Sequence, residues 1–440
     1  MLENRITGTE MEWGVVVKAK NGDWKSIDDR TIFEYNLPED LVIIDSFLSN
    51  GARYYRDFGN HIEYCTPEDT SYMGTVINEL AGEQILKYSL DKLIEEDRIT
   101  KYCAMKRLVD DVGNSWGHHE NFIAKADRIE IDPRTLGLLS LHLASKNIWA
   151  GAGQLQRSAS NRNIFIVSAR AKALNIEYSP ETTIKKPILN LRQESLASSA
   201  WKRIHVTSGD AHMSPWAIWM SLATNSIVIK LIERKANNLD IDPVGGLLAL
   251  NYLVASDVSL KKSIDVKNIG KLRPLDIQRM ICDKANQIQA QRAIFNNEEK
   301  FALSEWTRIL DDLEFGTKNQ VIDRVEWIAR LILLREYSAK NQEPSKAKTN
   351  NLLRIDKLWD NISDEGIAQK YRKTVWKEWM PDQDRINKAV ISPPDTTRAK
   401  LRSQFIIENY KPRYQSVKVN WSYLTDKYNR TKDLKPYQTK

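Results

Sequence analysis

The stretch Phe47–Glu68, FLSNGARYYRDFGNHIEYCTPE, constrains this chain more than any other. Side chains on a β-strand alternate faces with a period of two. A strand over 52–58 therefore puts Arg53, Tyr55 and Asp57 on one face. Phe58-Gly59-Asn60 supplies turn chemistry, and a second strand from His61 gathers His61, Glu63 and Cys65, with Tyr64 and Thr66 opposite. The hairpin offers a cation, a phenol, two carboxylates and an imidazole. Buried charges are costly unless paired or bound to a metal, so a plain core would not assemble that set. The face is either solvated or a site.

Residues 5–19, RITGTEMEWGVVVKA, favour the site. Read as a strand, they place Glu10 and Glu12 on one face with Thr9, Met11 and Trp13 opposite. Two carboxylates so close repel unless a cation lies between them, and hard divalent ions such as Mg²⁺ are bound by carboxylate oxygens. Gly8 and Gly14 bracket the pair, which points to close backbone approach. No P-loop, no helix-opening GxGxxG and no GxSxG occurs. A nucleotide would have to be held by Mg²⁺-bridged carboxylates and arginines on a sheet.

Composition bounds the partners. Lys and Arg number 65 against 58 Asp and Glu, a net charge of +7. That excess suits an acidic partner but is not the concentrated stripe of a nucleic-acid binder. Three widely spaced cysteines (Cys65, Cys103, Cys282) point to a reducing compartment rather than a disulfide framework or a zinc site. MLENRITGTE has no apolar signal core. The most apolar helix, near Trp216–Leu231, is interrupted by Ser221, Thr224, Asn225 and Ser226 and is expected to be too short to span a bilayer. The expectation is a cytoplasmic protein with no membrane and no nucleic-acid partner, and 440 residues suffice for a large core plus a small satellite domain.

Along the chain, apolar spacing predicts a helix over 75–97, a strand over 102–109 and a helix over 136–146. His118 and His119 point to opposite faces of a strand, so they do not share one zinc ion; His119 or Glu120 belongs instead to a wider polar cleft. Residues 162–178 and 184–192 read as extended, with Lys185, Lys186 and Arg192 lining the second segment. Strand 201–206 carries Arg203 and His205 on one face, and such cations either hold phosphate oxygens or make surface ion pairs. Helices are predicted at 215–237, 275–296, 303–314 and 319–337, then an exposed linker at 339–350. A basic, tryptophan-bearing helix follows at 366–379, a helix at 396–408 capped by Asp395 or Thr396, and a strand at 415–425. The tail beyond Lys427 reads as frayed.

Several blocks run in order: Arg5-Ile6-x-Gly8-x-Glu10-x-Glu12-x-Gly14, Asn50-Gly51-Ala52-Arg53-x-Tyr55-x-Asp57 and His61-x-Glu63-Tyr64-x-Thr66-x-Glu68. Gly113-Asn114-Ser115-x-Gly117-x-His119-Glu120-Asn121 and Arg203-x-His205-Val206-x-x-Gly209-Asp210-x-x-Met213-Ser214 follow, then Pro393-Pro394-x-Thr396-Thr397-Arg398-Ala399-x-Leu401-Arg402. Together they resemble the Pup ligase (proteasome accessory factor A) family, which shares a fold with carboxylate–amine ligases of the glutamine synthetase type.

The resemblance implies an α+β fold. A glutamine synthetase-like catalytic domain over 1–365 would pack a curved, largely antiparallel sheet on helices, and a small C-terminal domain over 366–440 would contribute to the nucleotide site. It implies Glu10, Tyr55 and Glu63 as Mg²⁺ ligands, Arg53, Thr66 and Trp421 as ATP contacts, and Asp57 as the catalytic base. The implied reaction joins the C-terminal glutamate side chain of a small Pup-like modifier to substrate lysines through a γ-glutamyl phosphate, marking proteins for a bacterial proteasome. Lys185, Lys186, Arg192, Arg203 and His205 are expected on the substrate side, the cations lining a basic groove for the acidic modifier.

Two rivals share the fold: the depupylase/deamidase, and a small-molecule carboxylate–amine ligase. The depupylase carries a long insertion between the first strand and the Asn-Gly-Ala-Arg block, for which the connector before Asn50 leaves no room, and its spacing from the aspartate to the histidine is one residue shorter than that from Asp57 to His61. The block similarities favour the protein ligase over the small-molecule enzyme. Lys106-Arg107-Leu108 departs from the family's Lys-Asn-Asn run, which puts in doubt any substrate contact made there.

Overall fold

Burial along Thr7–Lys18 alternates residue by residue, so this strand has one face for the core and one for a cleft. Met11 and Trp13 are fully buried on the core side, while Glu10 and Glu12 are half-buried on the other. The computed structural model describes residues 4–27, 37–57, 61–109, 115–157, 163–182, 184–194, 196–341, 345–410 and 417–440. The expected turn Phe58-Gly59-Asn60, the dipeptide Gly113-Asn114 and the start of the expected strand at 415–416 lie outside them.

The strands are β1 (Thr7–Lys18), β2 (Trp24–Ser26), β3 (Ile43–Ile44), β4 (Phe47–Leu48), β5 (Arg53–Arg56), β6 (Ile62–Cys65), β7 (Lys101–Met105) and β8 (His118–Lys125). They continue with β9 (Gln154–Arg157), β10 (Asn163–Ile166), β11 (Ile176–Ser179), β12 (Pro187–Asn190) and β13 (Trp201–Val206). A nine-stranded sheet runs β13-β8-β1-β6-β5-β4-β3, with β2 and β7 also on β1. Its pairs are antiparallel; among the described residues the parallel pair is β11–β12, outside this sheet. β1 is the hub: its first half pairs with β6 and β8, its second half with β7 and β2. Pairings Glu12↔Glu63, Tyr55↔Glu63 and Glu10↔His119 bring the chemistry of four strands onto one face.

The opposite face is covered by helices. Tyr72–Glu95 packs on β1 and β6 through Val76, Leu80 and Leu86. It crosses Tyr64 at Gly82, where a Cβ would stand 2.4 Å from the ring, so the residue that breaks the apolar pattern is the one that admits the sheet. Pro215–Glu233 runs through the core and is long and apolar enough to cross a membrane, against the expectation of a shorter element. Its whole apolar window is buried inside the protein, with Ser221 and Asn225 bonding to Lys146 and Glu120 beneath β8. The mixed α+β architecture is as expected.

Other expectations are corrected. The segment 162–178 is not extended throughout: after β10 comes a helical turn, Ala169–Ala173, started by the Ser168 side chain accepting from Ala171 N–H. The apolar run Gly246–Ser256, not among the predicted helices, is a helix. The predicted linker at 339–350 is mostly helix, since Glu326–Lys340 and Ser345–Trp359 flank the junction; the polar first turn of the second conceals its buried later residues Asp356 and Trp359. The helix at 366–379 is Ile367–Lys373, and Trp376 beyond it turns into the core. The helix expected from 396 is Ala399–Asn409, because Thr397 bonds instead to the Glu68 carbonyl. The strand at 415–425 is two short strands, Lys418–Val419 and Tyr423–Thr425, with Trp421 in the turn between. The tail is not frayed: Thr431–Asp433 pairs with Tyr423–Thr425.

A second, small core joins Ile44 and Phe47 to Leu401, Ile406, Val419, Leu424 and Leu434. Ala368, Trp376 and Ile386 belong to the main one.

Candidate active site

Two groups of potential cation ligands lie side by side on the sheet face. Ligand atoms of Glu10, His119 and His205 lie within 4.8 Å of one another, as do those of Glu12, Asp57 and Glu63. Glu10 is the most heavily partnered. Its carboxylate accepts from Arg203 at 2.7 Å and Asn121 at 3.1 Å and meets His119 Nδ1 at 2.9 Å. Burial works against its charged form, yet Arg203 and His205 hold it well below the usual carboxylate range. His205 is pushed down to about 4, chiefly by burial, so at neutral pH it is a neutral imidazole. Both its ring nitrogens are buried without a hydrogen bond among the described residues, although Nε2 lies 3.4 Å from Glu10.

The second group is all oxygen. Glu12 meets His61 Nδ1 at 3.0 Å, and Glu63 accepts from the Tyr55 hydroxyl at 2.7 Å. Glu63 is raised to about 8 by burial and by Glu10, because four carboxylates share this face. A divalent cation relieves that crowding, and carboxylate oxygens are its preferred donors; the residues present fit Mg²⁺. Tyr55 is held as a neutral phenol by burial and by Cys65 and Glu63. Asp57, just past β5, has no side-chain hydrogen bond among the described residues. Gly117 lets β8 approach: a Cβ there would stand 2.4 Å from Glu12 Oε1 and 2.9 Å from His119 Nε2.

Beside this polar cleft, of about 480 Å³, lies a smaller and mainly apolar pocket lined by Ile6, Thr9, Thr66, Phe122, Arg398 and Trp421. The two share Glu10, Cys65, Leu196, Arg203 and Trp421 as a common wall. The Thr66 hydroxyl accepts from Thr9 N–H at 2.9 Å. Trp421 stands edge-on to Phe47 at 5.0 Å, with the Arg402 guanidinium 4.6 Å from its ring. Arg53 lies over the Tyr55 ring at 4.1 Å, and its Nε is buried without a hydrogen bond among the described residues.

The structure thus brings Glu10, Arg53, Tyr55, Asp57, Glu63, Thr66 and Trp421 to one place. Lys186 and Arg192 line the polar cleft, and Arg203 and His205 sit beside Glu10 rather than along an outer groove. Lys185 is exposed and does not line the cleft. Glu120 faces away, accepting from Asn225 beneath the sheet. Lys106 and Arg107 are buried in ion pairs with Glu79, Glu83, Asp356 and Asp360, and Leu108 is buried in the core, so Arg107 and Leu108, the two positions that depart from the family's asparagines, are taken up inside the protein. Arg170 was missed: it projects into the cleft from the helical turn that had read as extended.

The family described as Pup-ligase protein matches residues 24–425. A Pup--protein ligase of Acidimicrobium ferrooxidans is 30% identical over 99% of this chain and 96% of its own length. One from a Nocardioides species is 28% identical over 96% and 93%. Among solved structures, the complex between the prokaryotic ubiquitin-like protein Pup and its ligase PafA superposes with a TM-score of 0.84 at 23% identity, covering 100% of this chain and 90% of that one. The Pup ligase PafA in complex with ADP gives 0.77 at 22% identity, covering 93% and 89%.

Proposed function

The chain belongs to the Pup-ligase family, and on that premise we propose that it is an ATP-dependent ligase joining the C-terminal glutamate side chain of a Pup-like modifier to lysines of protein substrates. The observation that carries this reading is the shared wall: a mainly apolar pocket and a carboxylate-rich cleft are lined in common by Glu10, Cys65, Leu196, Arg203 and Trp421. ATP lies with its base in the apolar pocket against Trp421 and Thr66, and its phosphates pass Cys65 and Glu10 into the cleft. Glu10, Glu12 and Glu63, the last fixed by Tyr55, would hold Mg²⁺, with His119 and His205 beside Glu10; the metal would withdraw charge from the phosphate oxygens.

Arg53, with an unpartnered Nε, takes a phosphate oxygen. The glutamate γ-carboxylate attacks the terminal phosphorus, forming γ-glutamyl phosphate and releasing ADP. A lysine ammonium, of ordinary pKa about 10.4, must lose its proton before it attacks. The Asp57 carboxylate, which has no side-chain hydrogen bond among the described residues, accepts that proton; the amine attacks the acyl carbon, and phosphate leaves as the isopeptide bond forms. The conjugates are destined for a bacterial proteasome, and the setting is the cytoplasm. The small C-terminal region completes the nucleotide pocket through Arg398 and Trp421.

The test is Asp57→Asn, assayed with ATP, Mg²⁺, modifier and a lysine-bearing protein. Conjugation is expected to fall by roughly 10²–10⁴-fold while nucleotide affinity survives. Conjugation near the wild-type rate would remove Asp57 as the base.

A further inference from the structure

The cleft has a cationic pole that the reaction above does not use. Arg170 is 3% exposed, yet it has no ion-pair partner among the described residues. Its Nε donates to the Thr207 carbonyl at 2.8 Å and Nη1 to the Trp116 carbonyl at 3.4 Å, and Nη2 makes no hydrogen bond among the described residues. Its backbone is fixed as well, since its N–H donates to Asp210 at 2.9 Å. Lys186, half-buried in the same cleft, also lacks an ion pair among the described residues. Burial and the neighbouring Arg170 both work against its charge. Two unpaired cations side by side in a partly dry cleft repel, and a bound anion is the simplest relief.

Their distance from the chemistry selects the anion. The Trp116 carbonyl that Arg170 grips belongs to the peptide unit leading into Gly117, which abuts the Glu12 carboxylate. Glu12 in turn clusters with Asp57 and Glu63. One peptide unit therefore separates the cationic pole from the acidic one. The α- and γ-carboxylates of a single glutamate lie about 5 Å apart, a comparable reach. A nucleotide phosphate entering the same cleft is the other candidate anion, but the wall by which it would enter, Glu10, Cys65, Leu196, Arg203 and Trp421, includes neither Arg170 nor Lys186.

We propose that Arg170, with Lys186, holds the free α-carboxylate of the glutamate whose γ-carboxylate is activated, so that the enzyme reads a chain terminus and rejects internal glutamates; this rests on the ligase reading. A glutamate within a chain has an amide at that position and offers no charge to the clamp.

The test compares two modifier peptides, one ending in glutamate and one ending in glutamate α-carboxamide, in which the γ-carboxylate is retained. With wild-type protein, kcat/KM for the amide is expected to be lower by on the order of 10–100-fold, the range of a charge-assisted hydrogen-bonded contact. Arg170→Gln should lower kcat/KM for the acid by a similar factor, lose little more on the amide, and leave KM for ATP unchanged; Arg170→Lys should restore part of the loss. Equal use of both peptides by the wild type would overturn the clamp, as would an Arg170→Gln effect confined to KM for ATP, which would make the anion a phosphate. If Arg170→Gln does not fold, Lys186→Met and the wild-type comparison carry the test. No conjugation of either peptide by the wild type would overturn the ligase reading itself, and this inference with it.

Discussion

A carboxylate serves a cation only to the extent that nothing else has neutralised it, and the four acidic side chains of the cleft differ in this. Glu10 already has Arg203, Asn121 and His119; Glu12 has His61; Glu63 has only the Tyr55 hydroxyl and the Cys65 thiol; Asp57 has no side-chain hydrogen bond among the described residues. The more weakly partnered Glu12, Glu63 and Asp57 form the all-oxygen group. Gly117 sets the position of Glu12 by absence, since even a methyl group would overlap its carboxylate. Gly117→Ala is therefore expected to displace Glu12 and weaken Mg²⁺-dependent nucleotide binding by about tenfold or more, with the melting temperature little changed. Calorimetric titration of nucleotide with and without Mg²⁺ checks this, and an unchanged Mg²⁺ dependence would show that Glu12 is not a ligand.

At the scale of elements, the sheet and its chemistry were legible because alternation is a strict rule on a strand. Glu10 and Glu12 on β1, and Tyr55 and Glu63 on β5 and β6, fall as the period requires. What was not legible depends on partners distant in sequence. The turn bearing Arg170 is helical because Ser168 caps it and Asp210 anchors it, and neither bond leaves a periodic trace. The tail is ordered because Thr431–Asp433 completes a small sheet whose core includes Ile44 and Phe47. That small core is tied to the apolar pocket beside the cleft by Glu68, which accepts from Arg398 at 2.8 Å and Arg402 at 3.0 Å. Although burial opposes its charge, these arginines lower the Glu68 carboxyl to about 2. A depressed carboxylate stabilises the fold above its unfolded pKa and loses that contribution as pH falls through its folded one. The contribution, about 3 kcal/mol by linkage, is thus complete above about pH 4.5 and gone near pH 2. Glu68→Gln should lower the melting temperature at neutral pH and flatten its decline across that acid window. A variant that melts like the wild type at pH 7 would show that the pairs contribute nothing net.

For the molecule as a whole, the relevant quantity is the net charge of +7 and where the unpaired part of it lies. Many cations are spent internally: Lys106, Arg107, Arg330 and Arg372 are buried against Glu79, Glu83, Asp356 and Asp360 and present no field to a partner. Lys186 and Arg192 at the cleft are not buried in this way; Arg192 meets Glu194 only at 3.9 Å and is exposed. Exposed charge around a cleft speeds encounter with an oppositely charged chain and is screened over about 10 Å at 0.1 M salt, whereas buried pairs are screened little. Binding of an acidic modifier should therefore weaken by about tenfold or more between 50 and 500 mM salt, mostly through a slower association rate. Unfolding, which depends on the buried pairs, should shift far less over the same range. The double variant Lys186→Gln, Arg192→Gln should flatten the salt dependence of association while leaving that of nucleotide binding intact. Stopped-flow association against ionic strength measures both, and a modifier on-rate independent of salt would remove charge from the recognition.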